Sequence, residues 1–250
     1  MNIPHVYVQG ESLVDAYHKS ILELNYQGAV VQCPDWNTEC VEVFLNAEIK
    51  NPLQEPMISG LSICDPYSLE KYRLEMLDGI LDWAIPKLEP YTYHDRIKVQ
   101  ERAAINDLKR SRDSRRAAIT IRYPGDCAMD DAPCLQHLQY MIRDDKLHAF
   151  VLFRSNDAVK AAFMNMFAIA MMQARVAKEL KVECGTLTYT ANSYHCYQRD
   201  WPTLRAYVRG IESGRPPVYN YVGDWQEMMD EERPQIMADV DAQRMRSEGL

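Results

Sequence analysis

Long apolar runs, a leader-like start and internal repeats are all missing from this sequence of 250 residues. Its most apolar stretch, residues 161–174, is shorter than the ~20 apolar residues that a membrane-spanning helix needs. Residues 1–10 have neither the basic region nor the apolar core of a secretory signal. The sequence therefore predicts no membrane segment, and we expect a cytoplasmic protein.

An excess of positive charge is also missing, since the formal net charge is −8 and the isoelectric point is about 5.3. A protein that wraps a nucleic acid backbone needs clustered Lys and Arg, so we expect no DNA partner. A small phosphorylated ligand stays compatible with this composition, because a few arginines can form a local positive pocket on an acidic protein.

The seven cysteines include no CxxC pair, and their number is odd. Both facts argue against a disulfide framework and against a zinc finger. Reduced thiols in a cytoplasm are the simplest interpretation, and the sequence predicts no metal site.

Helical and strand-like segments alternate along the chain, within an ordinary composition of 47% hydrophobic and 26% charged residues. Residue patterns predict helices over residues 11–26, 68–83 and 158–180, the strong charge of 96–114 predicts a solvated helix, and 224–250 is predicted as a surface helix. It predicts strands over residues 29–32, 41–49, 117–122, 135–143, 147–153 and 186–190. Strands separated mostly by helices indicate an α/β or α+β fold, and the length suits one domain.

The predicted helix over residues 158–180, expected to be the longest because the one over 224–250 is frayed at its end, is mostly apolar, which predicts burial on nearly all of its faces. Ser68 is available as the N-cap of the second helix. Residues 224–250 are acidic and rich in Met, and they predict a surface helix with a frayed end.

Cys134 lies near the start of a predicted strand, and taken alone it fits a buried structural thiol. A polar cluster, RSND at residues 154–157, ends an apolar strand just before the apolar helix. Capping by Ser155 or Asp157 explains one residue of this cluster but not Arg154. An arginine and a hydroxyl at a helix N-terminus form a good phosphate site. An arginine close to Cys134 would also lower the pKa of its thiol.

Three further polar side chains each allow two interpretations. Asn165, inside the apolar helix, is either a structural hydrogen-bonding group or the reader of a ligand such as a pyrimidine. His195 and Tyr197 share one face of an extended segment, so they either hold a sugar hydroxyl or belong to the edge of the core.

Taken together, these motifs resemble the thymidylate synthase family. The match rests on SRR at residues 114–116, PC at 133–134, RSND at 154–157, the helix asparagine at 165 and HCY at 195–197. Their order agrees with the family pattern, as do the successive intervals of 20, 11 and 30 residues that begin at Cys134. The resemblance is to the shorter archaeal branch; it is strong over about 91–201, weak over 1–90 and absent after about 210.

The resemblance implies a mixed sheet packed with helices and a catalytic cysteine. Cys134 is expected to attack C6 of a pyrimidine nucleotide, which makes C5 nucleophilic. C5 then takes a one-carbon unit from 5,10-methylenetetrahydrofolate or a modified pterin. Tyr91 is expected to assist removal of the C5 proton, and Glu55 is the expected general acid or base.

The same resemblance implies the residues that bind the two substrates. Arg154 and Ser155 would hold the nucleotide phosphate, together with Arg115 and Arg116 from the neighbouring subunit of a homodimer. Asn165 would read the base, with uracil expected, and His195 and Tyr197 would contact the sugar 3′-hydroxyl. Gln139 would line the nucleotide pocket, and Asp157 would bind the pterin.

Departures from the family pattern fall on the folate side. Phe153 stands where many members have Gln, and Ala161 and Ala162 replace a glycine-containing turn. The tryptophans that cover the folate ring have no clear counterpart, and the last residues lack the apolar character of the tail that closes over the ligands.

These departures leave two reactions open. Reductive methylation of dUMP to dTMP is the preferred one, because Asn165 favours uracil. The alternative is 5-hydroxymethylation of dUMP, dCMP or CMP, in which water traps the exocyclic methylene. A non-catalytic nucleotide- or RNA-binding regulator is a third possibility, which an intact Cys134 disfavours. We expect one domain over 1–250, with the catalytic motifs in 91–205 and a surface extension at 215–250.

Overall fold

Over residues 2–249, which the computed structural model describes, an eight-stranded mixed sheet is packed with six helices. The helices are α1 (Leu13–Gln27), α2 (Pro66–Asp78), α3 (Tyr93–Arg110), α4 (Ala162–Leu180), α5 (Trp201–Glu212) and α6 (Gln226–Glu248). The strands are β1 (His5–Gly10), β2 (Ala29–Cys33), β3 (Thr38–Ile49), β4 (Ile58–Ser59), β5 (Ala118–Thr120), β6 (Leu135–Arg143), β7 (Lys146–Phe153), β8 (Asn156–Asp157), β9 (Glu183–Tyr197) and β10 (Val218–Tyr219). The predicted fold class is confirmed.

The sheet order is β1-β3-β9-β7-β6-β5, with β2 paired to β3 and β8 paired to β9, while β4 and β10 form a separate ribbon. Strands β7 and β9 run parallel, and α4 makes the crossover between them. The carboxyl ends of β7 and β9 therefore lie at the same edge of the sheet. Residues that follow β7, open α4 or end β9 are brought together there.

One face of the sheet is buried beneath the helices. Along β3 the side chains of Val43, Leu45, Ala47 and Ile49 are fully buried, whereas those between them are half-buried. This alternation follows from the two-residue period of a strand. Helix α4 packs against β7 and β9, and most of its residues are buried, as its apolar composition predicts.

Helix boundaries differ from the predictions where capping decides them. Asp65, not Ser68, is the N-cap of α2; Ser68 is its capping-box partner, and Pro66 opens the helix. Helix α4 begins at Ala162 rather than at residue 158, because residues 158–161 form a turn before it.

Helix α6 is the longest helix of the described residues, with 23 residues against 19 in α4, so the prediction that α4 is longest was wrong. Met229, Ile236 and Val240 of α6 are buried, and the helix packs against α2. The surface helix predicted over 224–250 is thus present but anchored, and its last residue, Leu250, lies outside the described residues.

The strand predicted over residues 186–190 extends across Glu183–Tyr197, so His195 and Tyr197 are part of the central sheet. Among residues 2–249, no helix combines the length and the apolar character that a membrane crossing requires.

Candidate active site

A cavity of about 310 Å³ opens at the carboxyl edge shared by β7 and β9. Its volume is at the lower end of the range for small-molecule sites, about 300–1,000 Å³. Seven of the predicted site residues line it: Cys134, Arg154, Ser155, Asp157, Asn165, His195 and Tyr197. They come from four separate segments of the chain, so the fold brings together residues that are far apart in the sequence.

Arg154 connects the end of β7 to the loop that precedes Cys134. Its main-chain N–H donates to the Cys134 carbonyl at 2.8 Å. Its guanidinium donates to the Pro133 carbonyl at 3.1 Å and to the Asp131 carboxylate at 3.1 Å. These bonds fix the loop that carries the thiol, and they occupy part of the arginine's donor set.

The Cys134 thiol is half-buried, and burial raises its pKa above the ordinary value. Arg154 lowers that pKa but does not offset burial, and Asp131 raises it further. Arg154 thus lowers the thiol pKa as expected, but burial has the larger effect, so the pKa stays above its ordinary value. The pairing of Arg154 with Asp131 adds a smaller effect, because it places a carboxylate in the surroundings of the thiol.

Asn165 is buried in the first turn of α4, with 5% of its surface exposed. The phenol of Tyr72, from α2, donates a hydrogen bond to the Asn165 Oδ1. Burial raises the pKa of Tyr72 well above its ordinary value, so the phenol keeps its proton. Tyr72 also lines the cavity, a placement that its position in an amphipathic helix does not reveal.

One carboxylate oxygen of Asp157 accepts hydrogen bonds within a local turn. Its Oδ1 accepts from the main-chain N–H groups of Val159 at 3.0 Å and Lys160 at 2.9 Å. These bonds lie within the turn that precedes α4, whose N-cap is Ala161 without a side-chain hydrogen bond, so neither Ser155 nor Asp157 caps the helix. Because Asp157 also lines the cavity, its second oxygen is the one available to a ligand.

His195 and Tyr197 lie side by side on β9, with ring centroids 4.8 Å apart in an edge-to-face arrangement. The Nδ1 atom of His195 is 3.2 Å from the Ser193 carbonyl, which orients the ring. Arg199 stacks over the Tyr197 ring at 5.1 Å. The two rings form one wall of the cavity, as their shared face predicts.

A second cavity, of about 430 Å³, adjoins the first and shares Tyr72, Tyr93 and Asp131 with it. Tyr91 lines this second cavity only, whereas Tyr93 lines both. The Tyr93 phenol oxygen accepts from the Leu135 N–H at 3.3 Å, and burial raises the pKa of Tyr93 to about 12.

Two carboxylates besides Asp131 line the second cavity, those of Glu75 and Glu89. Burial raises the pKa of Glu75, which is the pattern of a proton-transferring carboxyl. Glu75 lies three residues after Tyr72 and so shares its helix face. Sequence reasoning did not identify Glu75, Tyr93 or Tyr72.

Trp36 is a further residue that sequence reasoning missed. It follows β2 in the connection to β3, is 64% exposed and lines the first cavity. Its exposure at the rim of the cavity is visible only in the structure. The sequence does not show which cavity the connection between two strands reaches.

Four predicted site residues line neither cavity: Glu55, Gln139, Arg115 and Arg116. The Glu55 carboxylate accepts from the main-chain N–H groups of Met57, Tyr221 and Val222, each at 2.9 Å, and so joins two loops. Gln139 donates to the Arg115 carbonyl at 2.8 Å. The side chains of Arg115 and Arg116 are exposed, beside β5.

Comparison with known proteins gives one consistent result. The family model described as thymidylate synthase matches residues 68–221. The match begins within residues 1–90, where a weak resemblance was expected, and it ends at residue 221, beyond about 210, after which none was expected.

Several archaeal relatives carry the same name, "Putative thymidylate synthase". That of Methanosarcina mazei is 28% identical over 215 residues, which cover 82% of this chain and 95% of the relative. That of Methanocaldococcus jannaschii is 30% identical over 217 residues, covering 80% and 95% respectively. That of Methanothermobacter thermautotrophicus is 35% identical over 136 residues, covering 52% and 59%.

Proposed function

Because the chain belongs to the thymidylate synthase family, we propose that it transfers a one-carbon unit from 5,10-methylenetetrahydrofolate to C5 of a pyrimidine nucleotide. We propose further that the reaction is the reductive methylation of dUMP to dTMP. The observation that carries this proposal is the shared cavity of Cys134, Arg154, Asn165 and His195. It offers a nucleophile, a cation, an amide and a ring nitrogen to one ligand.

Cys134 is the proposed nucleophile. Its sulfur adds to C6 of the pyrimidine, and the electron pair of the C5–C6 double bond then makes C5 nucleophilic. The raised pKa of the thiol means that a proton must leave before the attack. When a nucleotide phosphate replaces Asp131 as the partner of Arg154, the Asp131 carboxylate is released from this ion pair.

Arg154 and Ser155 are the proposed phosphate ligands. A guanidinium suits a phosphate because two parallel N–H donors match two of its oxygens. The start of α4 lies on the same wall of the cavity, since Ala161 and Met164 line it, and a helix N-terminus favours an anion. His195 and Tyr197 then face the sugar, and Asn165 faces the base.

The second cavity is the proposed site of the methylenetetrahydrofolate. Asp157 remains the proposed pterin contact, and Tyr91 is the proposed aid to removal of the C5 proton. For the general acid or base we propose Glu75 in place of Glu55. Glu75 lines this cavity with a raised pKa, whereas Glu55 is bonded to three main-chain amides outside it.

A homodimer is proposed from the uncovered face of the sheet. Phe44 of β3 and Phe150 and Leu152 of β7 are half-buried on that face, opposite the helix-covered core. Arg115 and Arg116 are exposed and line neither cavity of their own chain, which supports a role at the neighbouring subunit's phosphate site. A cytoplasmic location belongs to the same proposal.

Product analysis tests this function. The protein is incubated with methylenetetrahydrofolate and dUMP, dCMP or CMP, and the nucleotide and the folate are identified by mass spectrometry. A methyl group on dUMP, with dihydrofolate formed, supports the proposal. A hydroxymethyl group, with tetrahydrofolate retained, replaces it with the hydroxymethylase. No product from any of the three nucleotides, with a folded protein, overturns enzymatic one-carbon transfer from this donor.

A further inference from the structure

The Tyr72 phenol and the Asn165 amide meet at the boundary between the two cavities. Tyr72 lines both cavities and Asn165 lines the first, and the phenol donates to the Asn165 Oδ1. Within residues 2–249 the Tyr72 hydroxyl makes no other side-chain hydrogen bond. The pair joins α2 to α4 across 93 positions of sequence.

The direction of this bond constrains the amide. An asparagine offers an acceptor and a donor that exchange places when the amide turns over. With the oxygen held at the Tyr72 phenol, one Oδ1 lone pair and one Nδ2 hydrogen remain for a ligand, since the amide also lies beside the buried Tyr189 phenol. If the amide turned over, the phenol oxygen would face Nδ2–H, and the phenol would have to accept instead of donating. Its own proton would then lose its acceptor in a half-buried site, which is unfavourable.

The two pyrimidine bases demand opposite orientations of that amide. Uracil presents an N3–H donor and an O4 acceptor, which match Oδ1 and Nδ2 in the orientation that the phenol holds. Cytosine presents an N3 acceptor and an N4–H₂ donor, which match only the reversed amide. A site that hydrogen-bonds one pattern rejects the other because buried polar groups are left unpaired.

We propose that Tyr72 is a specificity-determining positioning residue, which selects uracil over cytosine by holding the Asn165 oxygen toward its phenol. The inference rests on the proposed function, since it assumes that the first cavity binds a pyrimidine nucleotide. Tyr72 acts through Asn165 and is not itself a ligand of the base.

The test is the affinity of the full chain for dUMP and for dCMP, measured by titration calorimetry. Tyr72→Phe keeps the ring and removes the hydroxyl. The preference for dUMP over dCMP is expected to fall about tenfold, chiefly by a gain for dCMP. Tyr67→Phe is the matched control, because Tyr67 lies on the same helix and its hydroxyl donates to Asp239 at 2.6 Å. The control is expected to change the preference by less than about twofold.

A second pair of variants covers the case in which Tyr72→Phe does not fold. Tyr72→Gln and Tyr72→Met are close in size, but only glutamine can donate a hydrogen bond. The glutamine variant is expected to favour dUMP more strongly than the methionine variant. An equal preference in the two variants overturns the inference.

The outcomes separate the inference from the proposed function. A wild-type protein that favours dUMP, with Tyr72→Phe equally selective, overturns the role of Tyr72 and leaves the proposed function standing. A wild-type preference for dCMP also overturns it. A folded wild-type protein that binds neither nucleotide overturns the proposed function, and the inference with it.

Discussion

The guanidinium of Arg154 lies 3.1 Å from the carboxylate of Asp131, so the proposed phosphate ligand has an internal partner. Asp131 is 79% exposed at its side chain and Arg154 is 35% exposed, which makes this a weak, solvent-screened pair. A nucleotide phosphate can therefore displace Asp131. The pair also ties ligand binding to Cys134, since the same arginine bonds to the preceding loop.

Replacing Asp131 by Asn should strengthen phosphate binding, because the guanidinium loses its competing carboxylate. We expect the affinity for dUMP to rise about two- to fivefold, in keeping with the small energy of an exposed pair. Titration calorimetry measures this. Deoxyuridine is the control ligand, since it lacks the phosphate and its affinity should not change. An equal gain for both ligands would show that Asp131 acts elsewhere than on the phosphate site.

The reactivity of Cys134 should rise with pH beyond the range of an ordinary cysteine. Burial and Asp131 raise the pKa of the thiol, so at a given pH less thiolate is present than in a free cysteine, whose pKa is about 8.5. Below the raised pKa, each pH unit gives about ten times more thiolate. Iodoacetamide labelling, followed by peptide mass analysis, should give a Cys134 rate that still increases above about pH 8.5.

Asp131→Asn should move this rate profile to lower pH, because one of the groups that raise the thiol pKa is removed. Peptide-level analysis separates Cys134 from the exposed Cys127, which serves as an internal control for the reagent. A Cys134 rate that levels off below about pH 8 would contradict the raised pKa.

Glu70 should be important for stability rather than for chemistry. Its side chain is fully buried and is paired with Arg73 at 2.7 Å and Arg233 at 2.5 Å, which joins α2 to α6. Glu70→Ala leaves two arginines without that partner and should cost about 3 kcal/mol in the free energy of unfolding. Urea denaturation measures this cost.

The exposed Asp230, which pairs with Arg233 at 2.6 Å, provides the comparison for Glu70. Asp230→Ala should change the free energy of unfolding by less than about 1 kcal/mol. If the two alanine variants were equally stable, the buried pair would not be what holds α6 to α2.

Much of the fold was predictable, because periodicity reports burial. The alternation along β3 and the apolar composition of α4 predicted a strand with one buried face and a buried helix, and both are present. The start of α2 was less predictable, since Asp65 and Ser68 both carry capping side chains. The anchoring of α6 depends on a tertiary contact with α2, and the polar composition of α6 does not indicate that contact.

Some residues of the site were predictable from sequence motifs, and others depend on tertiary packing. Cys134, Arg154, Asn165 and His195 were identifiable because they belong to ordered motifs, and the structure brings them to one cavity. Tyr72 could not be found in this way, because its hydrogen bond to Asn165 arises only when α2 packs against α4.

Glu55 shows the opposite difficulty for prediction from sequence. A carboxylate in a polar loop resembles a catalytic group in sequence, yet here it bonds to the main chain of residues 57, 221 and 222. Local sequence does not distinguish a carboxylate that holds loops together from one that lines a cavity. Only the tertiary packing decides between them.

Covalent trapping tests the central claim most directly, that Cys134 adds to C6 of a uracil nucleotide. The protein is incubated with 5-fluoro-dUMP and methylenetetrahydrofolate, then digested and mapped by mass spectrometry. Fluorine cannot leave C5 as a cation in place of the proton, so an adduct formed there should persist. We predict that the peptide containing Cys134 gains the mass of the nucleotide and the folate, and that Cys134→Ser gains neither. A folded wild-type protein with no adduct, or with the adduct on another cysteine, would contradict the claim.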